Sequence, residues 1–406
     1  MKTIFIALTV IFAFSSFSQN KNLMNIRKGF WNAHLKITST NNLAFTIHVK
    51  DNRISIINAE EEIILDELAF VNDSLRAHFP YFNSELVFVS TKKELVGYFQ
   101  NYNRGKNYRI PFYAKRGTKS RFTFIQKKCK SPFINGKWEA TFDPNTASAY
   151  PALGVFKQEN KKSSVSGTFL TETGDYRFLE GNSTKDSVYL SCFDGSHAFL
   201  FTGKLIGDSL KGSFYSGNHW KGEWNAVRNE NFKLESPEVL TYVKNNEPVE
   251  FVLPKLDSSR FSFPNDDYKG KVTIIQIMGT WCPNCLDESV FYKELYDKYH
   301  SKGLEIIAVC YEAGKDFNDY SRNAARLKNR LGLDYQFVIG GSASKNDASL
   351  DFSMLNDIIS FPTSIYIDRN GEVKRVHTGF NGPGTGEYYD NYKKKTIALI
   401  ESLLIR

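Results

Sequence analysis

The sequence predicts an α+β multidomain chain: an N-terminal all-β antiparallel tandem repeat, barrel- or sandwich-like, followed by a small α/β domain. Three observations predict it. Residues from about 25 to 230 read as short alternating runs broken by Gly, Asn and Asp turns, in a chain whose aromatic content of 15% favours strands. That β half repeats itself. From about residue 249 the pattern changes to strands alternating with helices. At 406 residues the chain also exceeds what one core usually serves.

The first twenty residues stand apart. Lys2 precedes an apolar stretch from Ile4 to Phe14, and Ser16-Phe17-Ser18 places small residues before Gln19. This is the anatomy of a cleaved secretory signal over residues 1–18. A membrane span needs ~20 apolar residues, so an uncleaved anchor is the weaker reading. No cysteine lies near the cleavage point, which argues against a lipid anchor, and no later stretch is long and apolar enough to span a bilayer. The expected mature protein is exported, soluble (periplasmic or otherwise outside the cytoplasm), and in an oxidising compartment. The net charge of +8 is spread along the chain; its densest basic run, at 393–396, reads as a solvated helix face. No basic stripe or base-stacking motif points to nucleic acid.

LAFTIHV, SLRAHF and ELVFV in one half of the β region, and YRFLEG, SVYLSCF and AFLFTGKL in the other, are β-type runs. Gly29-Phe30-Trp31-Asn32-Ala33 resembles Gly136-Lys137-Trp138-Glu139-Ala140. Asp73-Ser74-Leu75 parallels Asp186-Ser187-Val188, and Leu95-Val96-Gly97-Tyr98-Phe99 parallels Leu210-Lys211-Gly212-Ser213-Phe214. The offsets stay between 107 and 115 residues. Two copies of one β-meander are expected, over residues 19–128 and 129–230, each with seven or eight strands and able to close around its own core. Residues 231–248, polar and interrupted by prolines, read as a linker.

In the α/β domain, 249–406, VTIIQIM (272–278) is a near-continuous apolar run, suited to a strand covered on both faces. Tyr292, Leu295, Tyr296 and Tyr299 have helical spacing, with Gly303 as the stop. A second buried strand (304–309), a helix through Phe317, Ala324 and Leu331, a short strand at 336–339, a hairpin around Asn370-Gly371 and a closing helix through Tyr392 and Leu403 follow.

Five cysteines are present, and two of them form Cys282-Pro283-Asn284-Cys285. Cys282 lies four residues past a buried strand, where a helix starts. Free N–H groups and the positive dipole end stabilise a thiolate there, and the thiolate is the nucleophile of disulfide exchange. Pro283 costs nothing at that position. Cys285, one turn on, is placed to attack a mixed disulfide at Cys282. The rival readings are weaker. Structural zinc needs four ligands, and the sequence has no second Cys-x-x-Cys or nearby His pair. A passive staple across two residues closes almost no loop. Cys192 and Cys310 read as small buried hydrophobes; a Cys129–Cys192 disulfide is the alternative for the former. His34, His48, His78, His197 and His219 are scattered and read as solvated or core-satisfied.

Residues 250–406, nearly 40% of the chain, resemble the thioredoxin-like proteins of the TlpA/ResA type. The resemblance rests on Trp281-Cys282-Pro283-Asn284-Cys285, Glu288, Phe361-Pro362-Thr363 and Ile367-Asp368-Arg369-Asn370-Gly371. It implies a thioredoxin-like α/β fold and a redox-active Cys282–Cys285 disulfide, with Cys282 attacking and Cys285 resolving. It implies that Trp281 packs beside the pair. Pro362 would be a cis-proline whose neighbour, Phe361, offers backbone groups to an extended client, with Thr363 beside it. Glu288 would carry the proton of thiol exchange; a helix-favoured first-turn glutamate is the plainer alternative. Gln276 stands where thioredoxin has a buried aspartate and cannot titrate. The Pro-Asn dipeptide bears on a potential that spans ~150 mV across the fold, so the direction of electron flow stays open.

The expected function is an exported thiol–disulfide oxidoreductase that reduces disulfides in client proteins. It needs no cofactor, since no nucleotide or flavin motif is present, and no metal. A membrane thiol-transfer protein would keep it reduced. The β repeats would target it or present clients. The alternative is an envelope binding protein whose β repeats hold a ligand and whose thioredoxin fold is a docking module.

Overall fold

The computed structural model describes residues 26–51, 53–122, 134–159 and 162–405. The signal expected at 1–18 and the alternative partner Cys129 lie outside the described residues.

The first β unit consists of β1 (Gly29–Lys36), β2 (Asn42–Lys50), β3 (Arg53–Asn58), β4 (Glu61–Leu65), β5 (Glu67–Val71), β6 (Ser74–His78), β7 (Ser84–Ser90), β8 (Glu94–Asn101) and β9 (Arg109–Arg116). The second consists of β10 (Gly136–Phe142), β11 (Tyr150–Lys157), β12 (Ser164–Thr171), β13 (Gly174–Asp175), β14 (Leu179–Ser183), β15 (Ser187–Phe193), β16 (Ala198–Ile206), β17 (Ser209–Ser216) and β18 (Trp220–Arg228). Each unit thus has nine described strands, where the sequence suggests seven or eight. Runs such as EEIIL and ELAFV, separated by Asp66 alone, carry no turn signal that would split them.

The internal repeat is visible in register. The first and last strands pair in both units, with Ala33 opposite Ala114 and Ala140 opposite Ala226. Trp31 and Trp138 are both buried, and each indole N–H donates to a carbonyl four residues earlier, Arg27 at 3.0 Å and Ile134 at 2.9 Å. Gly97 and Gly212 face carbonyls of the neighbouring strand, those of Val87 and Thr202, at a distance no Cβ could share.

The two copies end differently. In the second, β11 pairs with both β10 and β12, and β10 with β18, so an eight-stranded barrel closes with β13 as an appendage. Its core is aromatic, with Phe142, Phe169, Phe201 and Trp224 packed together. In the first, β4 and β5 are the two free edges, and the sheet stays open. Phe193, from the end of β15, enters its core with ring centroids 4.6 Å from Phe45 and 4.9 Å from Phe99.

Residues 231–248 run along the C-terminal domain. Lys244 N–H donates to the Met354 carbonyl at 2.8 Å, and the Thr241 and Thr378 hydroxyls meet at 2.7 Å. That domain opens on a hairpin, β19 (Phe251–Pro254) and β20 (Arg260–Phe263), which the sequence reading does not resolve. Its five-stranded sheet comprises β21 (Val272–Met278), β22 (Leu304–Glu312), β23 (Gln336–Ser342), β24 (Thr363–Ile367) and β25 (Val373–Thr378), in the order β23-β22-β21-β24-β25. The first three are parallel, and β24 and β25 antiparallel. All seven residues of β21 are buried, as a strand covered on both faces requires. The helices are α1 (Pro283–Tyr299), α2 (Phe317–Leu331), α3 (Lys345–Asp351) and α4 (Glu387–Leu404). This is the thioredoxin-like arrangement. No helix among the described residues is long and apolar enough to cross a membrane.

Candidate active site

The end of β21 turns at Gly279-Thr280-Trp281 into α1. Gly279 lies against the Trp281 indole and the Tyr311 carbonyl, where a Cβ has no room. Thr280 donates both its N–H, at 2.8 Å, and its hydroxyl, at 2.6 Å, to the buried carboxylate of Glu312. The Trp281 indole N–H donates to the Tyr311 carbonyl at 2.9 Å, and its ring meets Phe361 edge-on at 6.0 Å. The approach to the cysteines is therefore fixed by three donors and one ring contact.

Cys282 is the N-cap of α1, in extended conformation at φ −97° and ψ 115°. Its Sγ accepts from the Cys285 N–H at 3.4 Å and lies 3.6 Å from the Phe361 carbonyl oxygen. Pro283 is the first helical residue, where its missing N–H is no loss. Both cysteines are free thiols in the structure. Cys282 is half-buried and Cys285 fully buried.

The environments drive the two thiols apart. The Cys285 thiol, hydrogen-bonded to the Cys282 sulfur, holds Cys282 below the ordinary thiol range, helped by the N–H groups of Cys285 and Asn284 and by the Arg177 charge; burial works against them. Burial pushes Cys285 well above that range. The half-buried sulfur is thus the ready nucleophile and the fully buried one holds its proton.

Glu288 is one turn beyond Cys285 and fully buried. Its carboxylate accepts from Gln276 Nε2 at 2.9 Å, the Ser364 hydroxyl at 3.1 Å, the Tyr292 hydroxyl at 3.1 Å and the Tyr392 hydroxyl at 3.2 Å. Burial nevertheless outweighs these four donors and raises its pKa to about 7. Gln276 Nε2 also reaches the Cys285 carbonyl at 3.4 Å, joining the glutamate to the cysteine turn. Phe361-Pro362 is a cis peptide bond, and Thr363 donates its hydroxyl to the Ser360 carbonyl at 2.9 Å. The structure therefore gathers Trp281, Cys282, Cys285, Phe361, Pro362 and Thr363 around the sulfur atoms, with Glu288 beneath.

Several neighbours escape sequence reading. Glu312, raised by burial to about 8, ends a strand like any other polar residue in the sequence. Asn284 is buried, donating to the Phe380 carbonyl at 3.2 Å. Arg177, from the second barrel, pairs with Asp287 of α1 and with Glu61 at 2.7 Å. In sequence it belongs to a turn (TGDYR) more than a hundred residues upstream, and no local pattern links the two.

A family model described as Redoxin matches residues 244–392. Thiol-disulfide oxidoreductase ResA of Geobacillus thermodenitrificans is 32% identical over 130 residues, 32% of this chain and 66% of that protein. ResA of Bacillus thuringiensis subsp. konkukian is 30% identical over 151 residues, 37% of this chain and 76% of that protein. This chain thus covers just under two thirds of the length of the first of these relatives. Among solved structures, a thiol:disulfide interchange protein of Chlorobium tepidum is similar at 20% identity, over 40% of this chain and 99% of that one, with a TM-score of 0.30. StoA of Bacillus subtilis is similar at 21% identity, over 37% and 98%, with a TM-score of 0.27. Through its C-terminal thioredoxin-like domain, the chain belongs to the ResA family of thiol-disulfide oxidoreductases.

Proposed function

We propose that this chain is an exported thiol–disulfide oxidoreductase that reduces disulfides in partner proteins. The observation that carries the reading is the asymmetry of the pair: a half-exposed thiol capping a helix, held low, beside a buried thiol held high. The Cys282 thiolate attacks one client sulfur, and the other client sulfur leaves as a thiolate that takes up a proton. Cys285 then gives its proton toward Glu288 and attacks the Cys282 sulfur. The second client thiolate departs, two electrons have passed to the client, and Cys282–Cys285 is left as a disulfide. A glutamate with a pKa near 7 can both accept and return that proton at neutral pH. Phe361, beside cis Pro362, offers the backbone against which the client pairs, with Trp281 and Thr363 flanking it. A membrane thiol-transfer protein restores the dithiol.

The test uses two substitutions. Cys282→Ser is expected to abolish reduction of a protein disulfide, and Cys285→Ser to accumulate a mixed disulfide with the client. Reduction that persists in Cys282→Ser would overturn the reading. The potential of the couple fixes the direction: a value near or below about −270 mV makes it a reductant, one near −120 mV an oxidant.

A further inference from the structure

The second barrel lies on the dithiol face. Its 171–175 turn touches three segments around Cys282: the Cys-Pro-Asn-Cys turn at Asn284, Ser360 ahead of the cis-proline, and the 379–382 loop. The Thr173 carbonyl accepts from the Ser360 hydroxyl at 3.5 Å, beside the cis-proline. The Thr173 backbone also presses on Gly379, so closely that a Cβ there would collide with it. Gly174 packs on the Asn284 amide, inside the Cys-Pro-Asn-Cys turn. The Asp175 carboxylate accepts from the Gly382 N–H at 2.6 Å. Two further ties hold the barrel there: the Ser196 hydroxyl donates to the Trp281 carbonyl at 2.9 Å, and Arg177 pairs with Asp287. A groove of about 400 Å³ reaches Asn284, and its other walls are barrel residues: Tyr150, Pro151 and the 171–176 segment.

We propose that the 171–175 turn is the specificity-determining element of the dithiol site. It packs against Ser360, Gly379 and Gly382, beside the Phe361-Pro362 backbone on which an extended polypeptide would pair. Cys282 is left open to small disulfides, and a polypeptide client reaches the sulfur only once the turn leaves that face. The inference rests on the dithiol reading above and names what that site admits. The physical ground is simple: backbone addition needs room along the strand it joins, and here residues of the same chain stand beside it.

Access to Cys282 in the full-length reduced protein tests this. The probes are N-ethylmaleimide and the same maleimide on a long polyethylene glycol chain, with labelling read at Cys282 by peptide mass. Gly382 has an ordinary φ of −73°, and a Cβ on it would meet the Asp287 and Asp175 carboxylates. Gly382→Leu is therefore expected to crowd both carboxylates, Asp287 most, and to loosen the Asp175 tie and the Arg177–Asp287 pair that hold the turn, without altering a barrel residue. Asp175→Ala removes the same tie from the other side. In both variants the bulky-to-small labelling ratio is expected to rise at least about tenfold, as an opened segment would allow. The proposal is overturned if that ratio stays within about twofold of wild type while amide exchange shows the 171–175 turn released. Labelling needs only a reactive thiol, so absence of disulfide-reducing activity in the wild type would defeat the functional reading and leave this result standing.

Discussion

Arg177 of the second barrel and Asp287 of the helix that begins at Cys282 form an ion pair across the two halves of the chain. Arg177 is 3% exposed and also faces Glu61 at 2.7 Å and Asp194 at 3.5 Å. One guanidinium thus compensates three carboxylates out of water. Removing one partner of such a cluster costs roughly 3–5 kcal/mol, because the remaining charges stay buried. Arg177→Gln is therefore expected to lower the denaturant midpoint by that equivalent and to move the Cys282 titration upward. Arg177→Lys keeps the charge and is expected to restore the titration in part. An unchanged Cys282 titration in Arg177→Gln would remove the barrel from the thiol's electrostatics.

The two cysteines should differ sharply in reactivity. Cys282 is held below the ordinary thiol range by its hydrogen bonds, and burial pushes Cys285 well above it. Iodoacetamide labelling followed by mass against pH should show Cys282 half-labelling at a pH below that of an unperturbed thiol. Cys285 should stay unlabelled across the same range. Equal labelling of both would contradict the asymmetry on which the nucleophile assignment rests.

Glu288 makes stability depend on pH in a defined direction. Its folded-state pKa, about 7, lies above the ordinary 4.5. The native state therefore binds more protons than the unfolded chain between those values. Its contribution is fully present below about 4.5 and is lost as pH rises through 7. The loss at pH 8 amounts to roughly 3 kcal/mol. Glu288→Gln, neutral and of similar shape, is expected to flatten that fall between pH 5 and 8, on the order of this magnitude. The same variant should slow disulfide exchange by ~10²-fold and remove its inflection near pH 7. A pH–stability curve identical to wild type would show that Glu288 does not titrate in this window.

What the sequence shows and what it hides follow one physical division. Local signals were legible: β21 as a run of buried residues, the α1 start at Cys282-Pro283, and the two β units from Trp31 and Trp138 in equivalent frames. The placement of Trp281 to Glu288 and Phe361 to Thr363 around the sulfur atoms is legible for the same reason, each stretch being a local motif. What was hidden depends on contacts far apart in sequence. Whether a nine-stranded unit closes turns on its middle strands, which carry no distinguishing motif: β12 pairs with β14 in the second unit, while β4 and β5 stay free edges in the first. Arg177 at the site and Asp175 on Gly382 result from the docking of one domain on another, which leaves no periodicity to read. In the sequence Asn284 reads only as part of the dipeptide that tunes the cysteines; the structure adds that it is pinned between the Phe380 carbonyl and the barrel turn.

The open first sheet leads to the last prediction. A sheet with two free edges and an exposed inner face is hard to stabilise alone. Here the face is filled from the neighbouring unit: Phe193 sits among Phe45, Phe79 and Phe99 with centroids 4.6 to 5.3 Å away. Arg121 ties the same junction, donating to the Ser191 carbonyl at 2.8 Å and the Glu180 carboxylate at 3.0 Å. Phe193→Ala therefore removes a ring from the first unit's core although the residue belongs to the second. The expected cost is roughly 3–5 kcal/mol. Amide exchange should show lost protection in β2 and β8 of the first unit, with the second barrel's Trp138 strand less affected. Protection lost in the second barrel alone would mean that the first sheet holds its fold without its neighbour.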